Sequence, residues 1–447
     1  MVPSISTEAA SALRTYIDNA TTGTSPTIPG AVLHILDAKA NTLFSHGSSN
    51  STTPNAQSIS IIQSLTKLVG AIAFLQLVER GVSSLDDPSI IPTHLPELAA
   101  KKVLTGFTTD ASGTKSWHLE DRVGHITPRM LMNHTYGGGH TYMDTLLFEY
   151  FQSQPSIDWP TTNEAADTYG TLLASPLLYQ PGTKTTYGQG LDWLAVLIER
   201  LTHTRLAHHL QTTIFTPLGL GSMGFEPAFG GTSLSHPSNE GKFWPRVLRS
   251  GDAYTALDPP HPQTTIHPDA FPTGTYHTAR LGTGLVSSAH DYARLLTILL
   301  PENAGVDLDP VSAHRVLSPS SIREISTPQL SELLRHDSRN VMASGASPII
   351  LPAWIQSAHM DPQGSFGLGC GVQGADRVLQ DGRKGRSRGS VYWYGAANTE
   401  YWVDGEEGVV VFVNGNFYPW NDEKWVDFVA GVEGILYGGF ERGLRGR

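Results

Sequence analysis

Hydrophobic and polar residues alternate in short segments near both ends of the chain. Residues 31–36 and 42–47 have this pattern and flank a polar turn, which predicts a β-hairpin. Residues 389–394, 398–404 and 408–414 predict three further strands near the other end. Because the helical patterns lie mostly between these groups, we expect a single sheet that is built from both ends of the chain.

Helical periodicity is strongest over residues 65–78. Apolar side chains lie on almost every face of this segment, so we expect a helix that is buried between other layers. Gly81 is expected to end it. Further helices are predicted at residues 5–20, 128–133, 191–201, 289–300 and 425–437.

The predicted fold class is α+β, an antiparallel sheet flanked by helices with a mainly helical insertion domain. Residues 1–90 and 290–447 are expected to form the α/β sheet domain, and residues 91–289 the insertion. Two segments, 229–282 and 335–365, contain no clear pattern of helices or strands. We interpret them as insertions that shape a pocket.

Composition restricts the possible partners. The 447 residues are 39% hydrophobic and 16% charged, which is typical of a globular protein. The net charge of -11 argues against nucleic acid or an anionic membrane as a partner. No segment approaches the roughly 20 apolar residues of a membrane helix. A small molecule is therefore the expected partner.

The cysteine and histidine content bears on compartment and cofactors. The single cysteine, Cys370, excludes a disulfide within the chain, and the polar N-terminal segment is unlike a secretory signal, so we expect a cytoplasmic protein. The 18 histidines do not follow metal-ligand spacings. Neither a metal nor another cofactor is expected.

A candidate nucleophile lies at the start of the buried helix. Ser64 and Lys67 form an S-x-x-K element, and residues three apart share a helix face, so the lysine amine can reach the serine hydroxyl. Backbone N–H groups at a helix N-terminus also favour developing negative charge. Ser112 and Lys115 repeat the motif in a polar loop, and we interpret that copy as a coincidence.

The segment from Ile62 through Lys67 to Asp87-Pro88 resembles the serine β-lactamase and penicillin-binding-protein superfamily. Residues 126–135, 179–182 and 282–291 resemble further elements of that superfamily, in the same order. Within it, the chain is most similar to class C β-lactamases, family VIII carboxylesterases and fungal lovastatin-type acyltransferases and esterases. The resemblance implies that Ser64 is the nucleophile and that Lys67 assists it.

The same resemblance implies a third catalytic residue. Tyr187 falls where the family has the tyrosine of its Y-x-N motif, which handles protons of the nucleophile and of the leaving group. Gln189 replaces the usual asparagine, so an amide is kept that is one methylene longer. Gln189 is a candidate substrate-binding residue.

A strand that lines the site is implied by Trp393, Tyr394, Gly395 and Ala396, in the place of the family's Lys-Thr-Gly motif. The Ala396 and Ser64 N–H groups would form the oxyanion hole, and the first three residues would contact substrate. The motif's lysine, which helps to hold the carboxylate of β-lactams, is replaced by Trp393. This change indicates esters rather than β-lactams as substrates.

The predicted function is a serine hydrolase that cleaves a small-molecule or secondary-metabolite ester through a Ser64 acyl-enzyme. An acyltransferase with the same residues is the main alternative, and a β-lactam or amide hydrolase is a further one. His134 and His140 flank Gly137–Gly139 and are interpreted as structural residues rather than as a general base.

Overall fold

The computed structural model describes residues 3–50, 53–140, 144–153, 168–225, 237–239, 241–257, 280–301, 316–334, 361 and 363–441. Most of the two predicted insertions, 229–282 and 335–365, lies outside these residues. Their proposed role in shaping a pocket therefore stays a prediction.

A seven-stranded antiparallel sheet joins the two ends of the chain. Its strand order is β10-β11-β12-β13-β14-β1-β2, and the central pairing runs from Val32 opposite Asn414 to Asp37 opposite Val409. The strands within the described residues are β1 (Gly30–Asp37), β2 (Thr42–Ser49), β3 (Ile59–Ile61), β4 (Val103–Thr109), β5 (Lys115–Glu120), β6 (Gly224–Phe225), β7 (Val247–Ser250), β8 (Ala253–Ala256), β9 (Leu285–Ser288), β10 (Ser365–Phe366), β11 (Gly371–Val372), β12 (Val391–Gly395), β13 (Thr399–Asp404), β14 (Val409–Asn414) and β15 (Phe417–Tyr418). The predicted antiparallel sheet that is built from both ends of the chain is confirmed.

Helices cover both faces of this sheet, which explains why its central strands are so apolar. Every residue of β1 and β14 is buried. The helices within the described residues are α1 (Thr7–Thr21), α2 (Thr66–Glu79), α3 (Ile90–His94), α4 (Pro96–Ala99), α5 (Pro128–Met132), α6 (Thr145–Gln152), α7 (Thr168–Ala174), α8 (Gly190–Thr202), α9 (Leu206–Leu210), α10 (Ala289–Leu296), α11 (Pro319–Ser326) and α12 (Glu423–Gly438). Helices α1 and α12 pack together over one face, and α10 contacts β1 and β14 on the other.

Two predicted helices differ from the structure at their ends. The segment expected to be helical to residue 300 is α10 followed by a 3-10 turn, Thr297–Leu299. The buried helix α2 begins at Thr66 and is preceded by a 3-10 turn, Gln63–Leu65. Gln63 has a φ of +49°, which a continuous α-helix does not accommodate.

The part of the chain between the two strand groups contains strands that the sequence did not reveal. Strands β4 and β5 form a hairpin whose residues are largely exposed, so they lack a clear apolar alternation. Two small sheets, with the orders β15-β7-β8 and β3-β9-β6, pair strands from this part of the chain with β15 and β3, which lie outside it. The predicted division into two domains at residues 90 and 290 stays a prediction. Among the described residues, the helices are too short or too polar to cross a membrane.

Candidate active site

Ser64 lies in the 3-10 turn directly before α2, and side chains from distant segments fix this turn. Gln63 Nε2 donates a hydrogen bond of 2.6 Å to the Tyr418 hydroxyl. The Tyr292 hydroxyl donates to the carbonyl oxygen of Leu65 at 2.7 Å. The turn is therefore anchored on both sides of Ser64, which is 7% exposed.

Lys67 is fully buried beside this serine. Its Nζ lies 3.1 Å from Ser64 Oγ and donates to the carbonyl oxygen of Gly282 at 2.7 Å. Its Nζ also lies over the ring of Tyr187, 4.7 Å from the ring centroid. The S-x-x-K geometry expected from one helix turn is thus present, with the amine in direct contact with the candidate nucleophile.

Tyr187 completes the group from the segment that precedes α8. Trp393 Nε1 donates to its hydroxyl at 3.3 Å. Aromatic rings enclose the side chain, with His134, Trp393 and Phe366 at centroid distances of 4.6, 5.5 and 6.5 Å. The structure therefore brings Ser64, Lys67 and Tyr187 together in an apolar, aromatic environment.

His134 and His140 lie against this aromatic group. His134 Nδ1 accepts from the Gly188 N–H at 3.4 Å, which places the ring hydrogen on the other nitrogen in the neutral state. Burial and the nearby Lys67 charge hold the pKa of both histidines well below the usual value. Both rings are accordingly neutral at physiological pH, and they surround Lys67 without adding positive charge.

The end of strand β12 approaches the nucleophile turn closely. A Cβ on Gly395 would lie 2.6 Å from the carbonyl oxygen of Ile62 and 3.3 Å from the Cβ of Gln63. Glycine permits this contact because it has no side chain. Ala396 follows immediately, so its backbone is near the turn that holds Ser64.

Two candidate substrate-binding residues lie further from the group. The Gln189 side chain accepts from Ser175 Oγ at 3.3 Å, and the residue is 6% exposed. The Tyr394 ring packs edge-on against Tyr392, 5.6 Å away. Tyr392 alternates with Trp393 along β12, so this pair belongs to the opposite face of the sheet. Contact of Gln189 and Tyr394 with substrate stays a prediction.

The second S-x-x-K copy has a different environment. Ser112 lies in the exposed turn between β4 and β5, where its hydroxyl donates to Asp110 at 2.6 Å. Lys115 forms an ion pair with Glu149 at 2.6 Å. These side chains have local partners at the surface, which agrees with the interpretation of this copy as a coincidence.

Three residues at the site were not predicted. Gln63 and Phe366 carry no motif. The contact of Gln63 with Tyr418 joins residues 355 apart, and Phe366 contacts Tyr187 from a distant segment of the chain. Gly282 contributes its backbone carbonyl oxygen, which no pattern of side chains in the sequence can reveal. A polar residue immediately before Ser64 was the one available indication of the Gln63 contact.

A family model described as beta-lactamase matches residues 14–431 of this chain. The chain belongs to this family. Both the fold class and the resemblance expected from the motifs are confirmed.

The relatives include enzymes of fungal secondary metabolism. Monacolin J acid methylbutanoyltransferase of Aspergillus terreus is 27% identical over 431 residues, which cover 93% of each protein. Lovastatin esterase of Penicillium rubens is 35% identical over 210 residues, which cover 45% of this chain and 49% of the esterase. The predicted enzyme class, a serine esterase or related acyltransferase, is confirmed.

A solved structure has the same fold over almost the whole chain. Unliganded simvastatin synthase from Aspergillus terreus superposes with a TM-score of 0.77 at 25% identity, and the match covers 98% of this chain and 100% of that one. The seven-stranded sheet and its helices therefore follow the architecture of this relative.

Proposed function

We propose that Ser64 forms an acyl-enzyme with the acyl group of a small secondary-metabolite ester, and that water then releases the acid. The contact of Lys67 Nζ with Ser64 Oγ at 3.1 Å, next to Tyr187, is the observation that carries this proposal. A hydroxyl is a weak nucleophile until a neighbouring base takes its proton.

In the proposed acylation, Ser64 Oγ bonds to the ester carbonyl carbon while the Lys67–Tyr187 pair accepts the hydroxyl proton. The tetrahedral intermediate then loses its alkoxide, to which the pair returns the proton, so the alcohol leaves neutral. Water attacks the acyl-enzyme by the reverse sequence and regenerates the Ser64 hydroxyl. Each step conserves protons without a cofactor.

The backbone N–H groups of Ser64 and Ala396 are proposed as the oxyanion hole. The close approach of Gly395 to the nucleophile turn supports this assignment. Preorganised donors of this type stabilise the negative oxygen that develops in the intermediate. Trp393, which contacts the Tyr187 hydroxyl, is proposed to line the acyl or alcohol site beside it.

The test compares wild type, Ser64→Ala and Ser112→Ala with p-nitrophenyl butyrate and p-nitrophenyl 2-methylbutyrate. We expect an acyl adduct in the intact-protein mass of wild type and of Ser112→Ala, and none in Ser64→Ala. Ser112→Ala is a matched control because it removes the same hydroxyl from the second S-x-x-K copy. Equal turnover by all three proteins, without an adduct, would disprove the role of Ser64.

Acyl transfer is the second candidate, and the match over 93% of monacolin J acid methylbutanoyltransferase favours it. Hydrolysis and transfer differ only in whether water or an alcohol attacks the acyl-enzyme. A 2-methylbutanoyl thioester supplied with and without monacolin J acid separates the two. Ester product that forms faster than free acid would establish transfer.

We also propose that this protein does not bind nucleic acid and that it is located in the cytoplasm. The net charge of -11 supports the first, and the single buried Cys370 supports the second. Fractionation of the source cells with an antibody to this chain would test the location.

A further inference from the structure

A buried carboxyl group lies close to Lys67, across the Gly282 backbone. Asp192 is in the first turn of α8 and is 5% exposed. Its Oδ1 accepts from the Gly282 N–H at 2.9 Å. Gly282 is therefore bound at its N–H by Asp192 and at its carbonyl oxygen by Lys67.

The contact between Asp192 and Gly282 leaves no room for a side chain at position 282. A Cβ on Gly282 would lie 2.8 Å from Asp192 Oδ2, closer than carbon and oxygen pack. The carboxylate and the Gly282 backbone thus fit directly against each other. This fit fixes the direction in which the Gly282 carbonyl oxygen faces Lys67.

The charges around this pair come from several elements. Burial raises the pKa of Asp192, and the Gly282 N–H, Lys67 and Arg280 offset only part of that rise. Burial, assisted by the Asp192 charge, raises the pKa of the Tyr136 hydroxyl, so Tyr136 stays protonated. The Tyr187 ring contacts Lys67, and His134 and His140, which also interact with Lys67, are neutral and add no charge.

We propose that Asp192 is the positioning residue of Lys67. It holds Gly282 so that its carbonyl oxygen fixes Nζ beside Ser64, and it supplies the negative charge that balances the ammonium form of Lys67. Asp192 thereby sets the pH range in which the Lys67–Tyr187 pair can take the serine proton. This inference rests on the proposed function, because it assigns a role in the same acylation step.

Asp192→Asn is the informative variant, because it keeps the shape and one acceptor oxygen but removes the charge. A nearby opposite charge favours the protonated lysine, so its loss moves the rising limb of the acylation pH profile to lower pH by about one unit. We expect kcat for p-nitrophenyl butyrate to fall about tenfold with little change in KM, since a base that releases its proton more readily is a weaker base. An unchanged pH profile would overturn the proposal.

Glu199→Gln is the matched control. Glu199 is a buried carboxyl on the same helix, and its Oε1 accepts a backbone N–H, that of Leu206, at 2.8 Å. It lies seven residues further along α8, about 10 Å along the helix axis. We expect the pH profile of Glu199→Gln to match that of wild type. A shift of this profile like that of Asp192→Asn would also overturn the proposal.

A readout that does not need turnover separates this proposal from the proposed function. Free energies of unfolding for wild type, Asp192→Asn, Lys67→Met and the double variant form a cycle. Coupling in this cycle shows that the two charges interact, even if Ser64→Ala retains activity and the proposed function fails. If the changes in the free energy of unfolding are additive, the proposal is overturned, whether or not Ser64 is the nucleophile. If Asp192→Asn does not fold, Asp192→Ser replaces it and the same outcomes apply.

Discussion

Two buried cations in this molecule have very different surroundings. Arg386 binds Glu433 through two hydrogen bonds of 3.1 and 3.0 Å, and its guanidinium stacks over Trp402 at 4.5 Å. Lys67 directly contacts a hydroxyl, a carbonyl oxygen and the face of an aromatic ring. Both side chains are at most 1% exposed.

The difference separates a structural charge from the one that we propose to be catalytic. A bidentate carboxylate fixes the arginine in its charged form and in one geometry. Neutral acceptors hold the lysine in position while leaving its proton free to move. We infer that a buried cation without a carboxylate in direct contact is the better indicator of chemistry in this fold.

The largest expected effect is on turnover in Lys67→Met. Loss of the amine removes proton transfer, so we expect kcat/KM for p-nitrophenyl butyrate to fall by about 10⁴-fold. The melting temperature should stay the same or rise, because a buried charge is replaced by an apolar side chain of similar length. Turnover and a thermal melt measure the two effects. Retained turnover would place Lys67 with Arg386 as a structural residue.

Arg386→Met should lower stability and leave acylation unchanged, the opposite of what we expect for Lys67→Met. Among the described residues, it leaves the buried Glu433 with Arg377, at 3.2 Å, as its one ion-pair partner, so we expect the protein to lose about 3–5 kcal/mol of stability. Protein that still folds should form the acyl adduct at the wild-type rate. Chemical denaturation and intact-protein mass test both statements. A loss of acylation in folded protein would remove the distinction between the two cations.

Acid should weaken the structural pair of Arg386 and Glu433. Burial tends to raise the pKa of Glu433, but Arg386 and Arg377 overcome it and lower that pKa to about 2. The stabilisation is therefore complete above the ordinary glutamate pKa, and it is lost as pH falls from about 4.5 toward 2, by about 3 kcal/mol. Urea denaturation from pH 6 to 2 measures this slope. Glu433→Gln should show a flatter slope over the same range, and an equally steep one would contradict the assignment.

The smallest expected effect distinguishes two tryptophans on adjacent strands. Trp393→Phe removes the hydrogen bond to the Tyr187 hydroxyl, so we expect kcat to fall about threefold to tenfold. Trp402→Phe, on the face that packs against Arg386, should leave kcat unchanged and lower stability slightly. Steady-state kinetics and thermal melts of the two variants test this contrast. If kcat fell in Trp402→Phe and not in Trp393→Phe, the expected contrast would be reversed.

The main elements of the fold could be predicted because their patterns are local. The apolar runs of β1 and β14 and the uniformly apolar α2 carry enough signal within each segment to identify sheet and helix. The hairpin of β4 and β5 escaped prediction because its side chains are mostly exposed on both faces. Local pattern therefore identifies buried elements better than exposed ones.

Only those parts of the site that lie in recognisable sequence motifs could be predicted. Ser64 and Lys67 lie one helix turn apart, so their contact follows from spacing. The contact of Lys67 with Gly282 spans 215 residues and uses a backbone oxygen, so no side-chain pattern encodes it. Asp192 offered one usable signal, since its carboxyl interrupts an otherwise apolar run of residues, 190–198, at the start of α8.

The pairing of β1 with β14 has a consequence for how the protein is made. Val32 and Asn414 lie side by side in the sheet although about 380 residues separate them in the chain. A ribosome that adds 5–20 residues per second needs roughly 20–80 s between the two strands. During that interval the apolar edge of β1 has no partner from the C-terminal strands. Synthesis of this chain thus creates an exposed strand edge that chaperones can bind until the last strands emerge.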